Sequence, residues 1–227
     1  MRPINQYIDH AALQPHLTRT EARRAIQLGV DFATRAVCVR PCDIEMAQEI
    51  CKDSVVDVST VLAFPHGCAL TRNKVDEAKR YAELGVSEVD MVANYGFILS
   101  ADWDAFELDV TSVLHVLRPE GILLKVILET AALDLDSISI ATRRCAEIGV
   151  DFVKTSTGFG PGGATEDAVR AMLDAAAGEI GVKASGGIRS ADSAKRFIDM
   201  GCRRLGVGYT STATICEGGE SDKKDVY

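Results

Sequence analysis

The chain has 227 residues, 47% of them hydrophobic and 26% charged, with 25 Lys and Arg against 33 Asp and Glu for a net charge of −8. That composition supports a sizeable core and argues against disorder, and an acidic chain with no basic run is a poor candidate for binding nucleic acid or an anionic membrane. The seven cysteines include no CxxC pair, no segment looks like a signal core or a membrane span, and the four histidines (10, 16, 66 and 115) lack metal-ligand spacing, so the expectation is a reduced, soluble, cytoplasmic protein with no metal site.

Along the chain, eight short apolar segments read as strands, at roughly 6–11, 34–40, 55–62, 87–93, 122–128, 150–155, 181–185 and 203–208. Helical patterns separate them, at roughly 18–28, 42–52, 71–84, 102–117, 135–148, 165–177 and 190–200. Thr18 with Glu21 makes a capping-box signature, and Ser190 or Asp192 can cap the seventh helix. Four segments echo one another: Leu28-Gly29-Val30-Asp31-Phe32, Leu84-Gly85-Val86-Ser87-Glu88, Ile148-Gly149-Val150-Asp151-Phe152 and Met200-Gly201-Cys202-Arg203-Arg204. Each reads as a helix ending on a left-handed glycine, followed by a strand. Eight alternating units predict a single (β/α)8 TIM barrel over 1–216, with a polar tail over 217–227. A doubly wound open sheet is the alternative.

Strands of a parallel barrel are buried on both faces and should be continuously apolar. Five charges break that rule: Asp9 in Tyr7-Ile8-Asp9-His10, Asp90 in Val89-Asp90-Met91-Val92, Lys125 in Leu124-Lys125-Val126, Lys154 in Val153-Lys154 and Lys183 in Val182-Lys183. A single strand-end lysine ordinarily snorkels to water. A set of them with two aspartates is either a structural ion-pair network or a reactive site at the carboxyl end of the barrel. Two of the lysines run into glycine-rich loops, which favours the reactive reading. Partial desolvation and a neighbouring ammonium both disfavour a lysine's charge, so Lys183 on the adjacent strand would favour the neutral, nucleophilic amine of Lys154. Such an amine attacks a carbonyl to form a Schiff base, an electron sink that loosens a proton on the neighbouring carbon. Asp90 is the carboxylate best placed to move that proton.

Gly158 to Gly163, Gly186-Gly187 and Gly206-Val207-Gly208 are read as loops after strands six, seven and eight. Backbone N–H groups there form the usual phosphate cradle of this fold, with Arg189 and the hydroxyls of 210–212 as further donors. Ordinary turn glycine is the competing reading for each one taken singly. A pyridoxal-phosphate barrel, a non-catalytic sugar-phosphate-binding barrel and another lysine aldolase or transaldolase are open alternatives at this level.

At these residues the chain resembles the deoxyribose-phosphate aldolases, a class I, Schiff-base family of lyases. The resemblance runs in order through Ile8-Asp9-His10, Val37-Cys38-Val39, Phe64-Pro65-His66-Gly67, Glu88-Val89-Asp90-Met91-Val92, Leu124-Lys125-Val126-Ile127-Leu128-Glu129-Thr130, Phe152-Val153-Lys154-Thr155-Ser156-Thr157-Gly158-Phe159 and Val182-Lys183-Ala184-Ser185-Gly186-Gly187-Ile188-Arg189. It implies a TIM barrel without cofactor or metal, commonly a homodimer. It also implies reversible cleavage of 2-deoxy-D-ribose 5-phosphate to acetaldehyde and D-glyceraldehyde 3-phosphate, in deoxyribonucleotide catabolism. By the same resemblance Lys154 is the Schiff-base lysine, Lys183 the second lysine and Asp90 the acid/base. Asp9 and Lys125 support the network, Cys38 lies near the pocket, and Gly158, Gly186, Gly187 and Gly206 match phosphate-loop positions. Two departures stand out. Ala11 and Gln14 occupy positions that are usually threonine and a polar or basic residue. After strand eight, Gly208 holds the usual serine slot and Tyr209 follows, so Ser211 or Thr210 would take over the phosphate contact. A C-terminal tyrosine, here Tyr227, assists proton transfer in some members.

Overall fold

The alternation closes on itself. A computed structural model, which describes residues 2–219, places β1 (Ile8–Ala12), β2 (Ala36–Val39), β3 (Asp57–Leu62), β4 (Glu88–Val92), β5 (Leu123–Ile127), β6 (Phe152–Lys154), β7 (Gly181–Ser185) and β8 (Arg204–Gly208) in a closed parallel barrel in chain order. The seam is made by β8 pairing with β1, Gly206 opposite Asp9. Every residue of β1, β2, β4, β7 and β8 is buried, as strands between a filled interior and an outer ring of helices must be. This is a (β/α)8 TIM barrel, and the open-sheet alternative is set aside.

The outer ring is α1 (Arg19–Asp31), α2 (Ile44–Cys51), α3 (Thr71–Leu84), α4 (Tyr95–Leu99), α5 (Trp103–Leu117), α6 (Leu135–Ile148), α7 (Glu166–Ala176), α8 (Ala191–Met200) and α9 (Tyr209–Cys216). The capping signals operate as read. Thr18 Oγ1 accepts from the Glu21 N–H at 3.3 Å while Glu21 Oε2 accepts from the Thr18 N–H at 2.8 Å, and Ser190 Oγ accepts from the Ser193 N–H at 3.1 Å. Gly85, Gly149 and Gly201 end α3, α6 and α8 with φ of +70°, +84° and +118°.

The first of the four echoes behaves differently. Gly29 lies inside α1, and Ala33, at φ +46°, takes the left-handed position instead. The reason is packing: a Cβ on Gly29 would lie 2.6 Å from Val37 Cγ1 and 2.9 Å from His10 Cδ2. Glycine here lets the helix approach the sheet. The sequence reading did not include α4 or α9. Five residues are too few to show a helical period, and Tyr209-Thr210-Ser211-Thr212 has weak helix propensity.

His10 faces outward from β1 and ties two helices to it. A carbonyl can only accept, so Nε2 donates to Ala25 O of α1 at 2.7 Å and Nδ1 accepts from Thr212 Oγ1 of α9 at 2.8 Å. Burial pushes its pKa from 6.5 down to about 4, against a smaller upward pull from the Ala25 carbonyl. Below the unfolded value the unfolded chain takes up a proton that the folded chain refuses, so stability is full above about pH 6.5 and drains away as pH falls toward 4. One proton over that span is worth about 3 kcal/mol. Denaturant titrations from pH 7 to pH 4 should show this slope in the wild type and lose it in His10→Gln. Parallel curves for the two proteins would show that His10 is not the group responsible.

Candidate active site

Alternation along each strand decides which charges meet inside the barrel. Asp90 stands opposite Lys125 across β4 and β5, Lys154 opposite Lys183 across β6 and β7, and Lys183 opposite Arg204 across β7 and β8. Paired residues point to the same face, and for these residues that face is the interior. Asp9, Glu88, Asp90, Lys125, Lys154 and Lys183 have no exposed surface, and Arg204 is 5% exposed.

Asp90 is the hub. Its Oδ1 lies 2.7 Å from Lys125 Nζ, and its Oδ2 lies 2.9 Å from Lys154 Nζ and 2.7 Å from Lys183 Nζ. Lys154 and Lys183 therefore share one carboxylate oxygen. A second tier lies behind it. Asp9 Oδ2 is 2.5 Å from Lys183 Nζ, and Glu88 Oε2 is 2.6 Å from Lys125 Nζ. Arg204 bridges both carboxylates, Nε to Asp9 Oδ1 at 3.1 Å and Nη2 to Glu88 Oε1 at 2.7 Å. Arg204 opens β8 and its guanidinium lies over the Phe152 ring, 5.4 Å from the centroid. Lys154 ends β6. The network thus runs from the amino-terminal floor of the barrel, where a cleft of about 500 Å³ is lined by Arg2, Tyr7, Arg203 and Arg204, to the carboxyl-terminal mouth.

The ionisation of the carboxylates follows from this crowding. Burial alone would raise the Asp90 carboxyl, but Lys125, Lys154 and Lys183 hold it well below the usual carboxylate range. Asp9 is likewise opposed by burial and brought down to about 2 by Lys183, Lys125 and Arg204. Lys125, penalised by burial, is held well above an ordinary lysine by Asp90, Glu88 and Asp9 and stays an ammonium. Cys38 is pushed up to about 11, first by burial and then by the Asp90 charge, so it is a thiol at neutral pH.

The mouth has two characters. On one side Ala11, Leu13, Cys38 and Val61 form an apolar cluster with Phe64 and Phe159, whose rings meet edge to face at 5.3 Å. Ala11, one of the two family departures, makes this side apolar where a threonine would place a hydroxyl. On the other side the glycine loops pack backbone against backbone. A Cβ on Gly163 would fall 2.2 Å from Gly186 O, and Gly186 itself has φ +86°. Gly158 (φ +83°) sits in the β6–α7 connection, and over Gly187 (φ +79°) the space is open. Buried Glu129 fixes that connection by accepting from the Thr157 N–H at 3.2 Å and the Thr157 hydroxyl at 2.5 Å.

Lys154, Lys183, Asp90, Asp9 and Lys125 thus meet in one cluster, with Cys38 beside it. Gly206 and Gly208 require a correction: both lie within β8, and the expected loop after them is helix α9, with Gly208 as its N-cap and Ser211 buried in its first turn. The hydroxyl-rich run that reads as a loop is held in a helix by packing and by the Thr212–His10 bond. Tyr227 lies outside the described residues. Glu88 and Arg204 were missed, although each is in phase with a residue that was recognised: Glu88 two before Asp90, and Arg204 two before Gly206. Among the described residues no group of His, Cys, Asp or Glu could hold a metal ion, and no helix is long and apolar enough to cross a membrane.

Removing Lys125 would strip a counter-ion from buried Asp90 and Glu88 together. Lys125→Met should destabilise the fold by about 3–5 kcal/mol. Arg23→Ala, which breaks an exposed pair with Glu49, should cost less than about 1 kcal/mol. Chemical denaturation of the two variants checks both, and near-equal losses would contradict the burial argument.

The chain and its fold are similar to those of known proteins. A family model described as DeoC/LacD family aldolase matches residues 4–208. A deoxyribose-phosphate aldolase from Thermoanaerobacter sp. (strain X514) is 40% identical over 204 residues, covering 89% of this chain and 92% of the relative. One from Deinococcus radiodurans is 40% identical over 218 residues, 96% and 97% of the two chains. Among solved structures, QR15, an aldolase, superposes with a TM-score of 0.89 at 36% identity, covering 96% of each chain. The tetrameric deoxyribose phosphate aldolase of Aeropyrum pernix gives a TM-score of 0.86 at 28% identity, covering 94% of this chain and 89% of its own. With a matched model over nearly the whole barrel, and relatives of this identity and coverage, the chain belongs to the DeoC/LacD family of aldolases.

Proposed function

We propose that this aldolase reversibly cleaves 2-deoxy-D-ribose 5-phosphate to acetaldehyde and D-glyceraldehyde 3-phosphate through a Schiff base on Lys154. The observation that carries the reading is the shared oxygen: Lys154 and Lys183 both bond Asp90 Oδ2. Two ammonium groups on one oxygen repel, and release of one proton relieves the repulsion. Lys183 also holds Asp9, so the proton is released from Lys154, the last residue of β6.

The neutral Lys154 amine adds to the open-chain aldehyde carbon, and loss of water gives an iminium. A base takes the proton of the C3 hydroxyl, the C2–C3 bond breaks, and its electron pair flows into the iminium to leave an enamine on Lys154. D-Glyceraldehyde 3-phosphate departs. Protonation of the enamine carbon and addition of water then release acetaldehyde and regenerate the amine. Asp90 and Lys183, within hydrogen-bond distance of one another, relay the protons, supported by Asp9 and Lys125. Gly158, Gly186 and Gly187 at the loops, Gly206 within β8, Gly208 at its end and Ser211 in the first turn of α9 receive the phosphate. The protein works in the cytoplasm, in deoxyribonucleotide breakdown, and assembles as a homodimer.

Incubation with acetaldehyde and borohydride should add an ethyl group to Lys154, read by peptide mass. The same protein should release acetaldehyde from deoxyribose 5-phosphate, with kcat lowered about 10,000-fold or more in Lys154→Met. An unmodified Lys154 in folded protein, or a Lys154→Met variant with unimpaired turnover, refutes the reading.

A further inference from the structure

Arg204 does not reach the mouth, yet it touches both carboxylates of the second tier. Its Nε is 3.1 Å from Asp9 Oδ1 and its Nη2 is 2.7 Å from Glu88 Oε1. The other oxygens of those carboxylates hold the lysines: Asp9 Oδ2 holds Lys183 at 2.5 Å and Glu88 Oε2 holds Lys125 at 2.6 Å. Lys183 and Lys125 in turn bond Asp90, whose Oδ2 also holds Lys154. Arg204 and the lysines therefore draw on the same negative charge. Whatever share the guanidinium takes is withdrawn from the ammonium groups, and the charge of Arg204 itself is fixed, because a guanidinium does not lose its proton in a protein.

We propose that Arg204 is a positioning residue that holds Lys154 toward its neutral form: by committing Asp9 and Glu88 from the floor of the barrel, it limits the negative charge left to stabilise ammonium at the mouth. The proposal rests on Lys154 as the imine-forming amine. The ionisable groups around the cluster are Arg35 and Cys38 from β2 and the turn before it, Asp57 from β3, Asp9 from β1, Glu88 and Asp90 from β4, Lys125 from β5, Lys183 from β7 and Arg204 from β8. Arg35 and Asp57 pair with each other at 2.8 Å, and Cys38 is an uncharged thiol. The balance is thus set by Arg204 and the three carboxylates acting on the three lysines. No step of the reaction touches Arg204, so its effect reads out in the acidity of the amine rather than in contact with substrate.

The test is the pH dependence of acetaldehyde–borohydride trapping at Lys154 in five purified, full-length proteins, the wild type and four variants. Arg204→Met releases Asp9 and Glu88 onto the lysines, so the acid limb of the trapping rate should move up by about one pH unit or more while the rate at high pH is retained. Glu88→Gln removes one negative charge and should move the limb down. The double variant Arg204→Met/Glu88→Gln removes one charge of each sign and should return the limb toward the wild type. Arg204→Lys, which keeps the charge, should leave it in place.

A uniformly slower reaction with an unmoved limb in Arg204→Met, or a double variant worse than either parent, would show a purely structural role and overturn the proposal. If Arg204→Met does not fold, the direction of the Glu88→Gln shift decides, and a limb that rises or stays put overturns it. Failure of the aldolase reading looks different, because the wild type would then give no Lys154 adduct at any pH.

Discussion

The barrel interior is organised around a single carboxylate, Asp90, whose two oxygens serve three lysines from three different strands. Placing so much charge in a closed, buried interior is costly unless every group is paired. That requirement fixes the rest: Asp9 and Glu88 must sit where they do to share the load, Arg204 must close the bottom of the cluster, and the strand register must bring these side chains onto one face. The same crowding that makes the cluster structurally demanding is what makes it chemically useful. A fully balanced, one-to-one set of ion pairs would hold each lysine firmly as an ammonium, whereas two amines on one oxygen leave one of them ready to give up its proton.

The position of each lysine along its strand then separates the roles. Lys125 is surrounded by carboxylates that keep it charged. Lys183 stands between Asp9 and Asp90. Lys154, at the last position of β6 and opposite Lys183, bonds the same Asp90 oxygen as Lys183 does. The glycine loops are shaped by close backbone contact, Gly163 against Gly186, and by a carboxylate, Glu129, inside the β6–α7 connection. Facing them is an apolar wall with Phe64 and Phe159 at its rim. On the proposed function, the amine takes the aldehyde carbon and the glycine face takes the phosphate.

Much of this was legible in the sequence. A charge inside an apolar strand stands out because burial makes it expensive, and the occurrence of Asp9, Asp90, Lys125, Lys154 and Lys183 together, two of the lysines beside glycine loops, is what outweighs the snorkelling reading of any one of them. Glu88 and Arg204 escaped because they lie at the first positions of their strands, where a charge is usually read as the solvated end of the preceding loop. Only the register shows that β4 and β8 begin inside the barrel. The helix after β8 escaped for a different reason: Tyr209-Thr210-Ser211-Thr212 carries weak local propensity, and long-range contacts such as Thr212 with His10 hold it helical. Gly29 shows the converse, a residue with a strong local meaning that tertiary packing puts to another use.

The account turns on the protonation state of one nitrogen. Labelling the lysines at Cε and Nζ, assigning Lys154 with a Lys154→Arg variant and following its resonances by NMR around neutral pH tests it most directly. Lys154 should show the chemical shifts of a neutral amine while Lys125 shows those of an ammonium. A Lys154 that remains an ammonium alongside Lys125 through that range would contradict the claim that sharing Asp90 prepares it for attack.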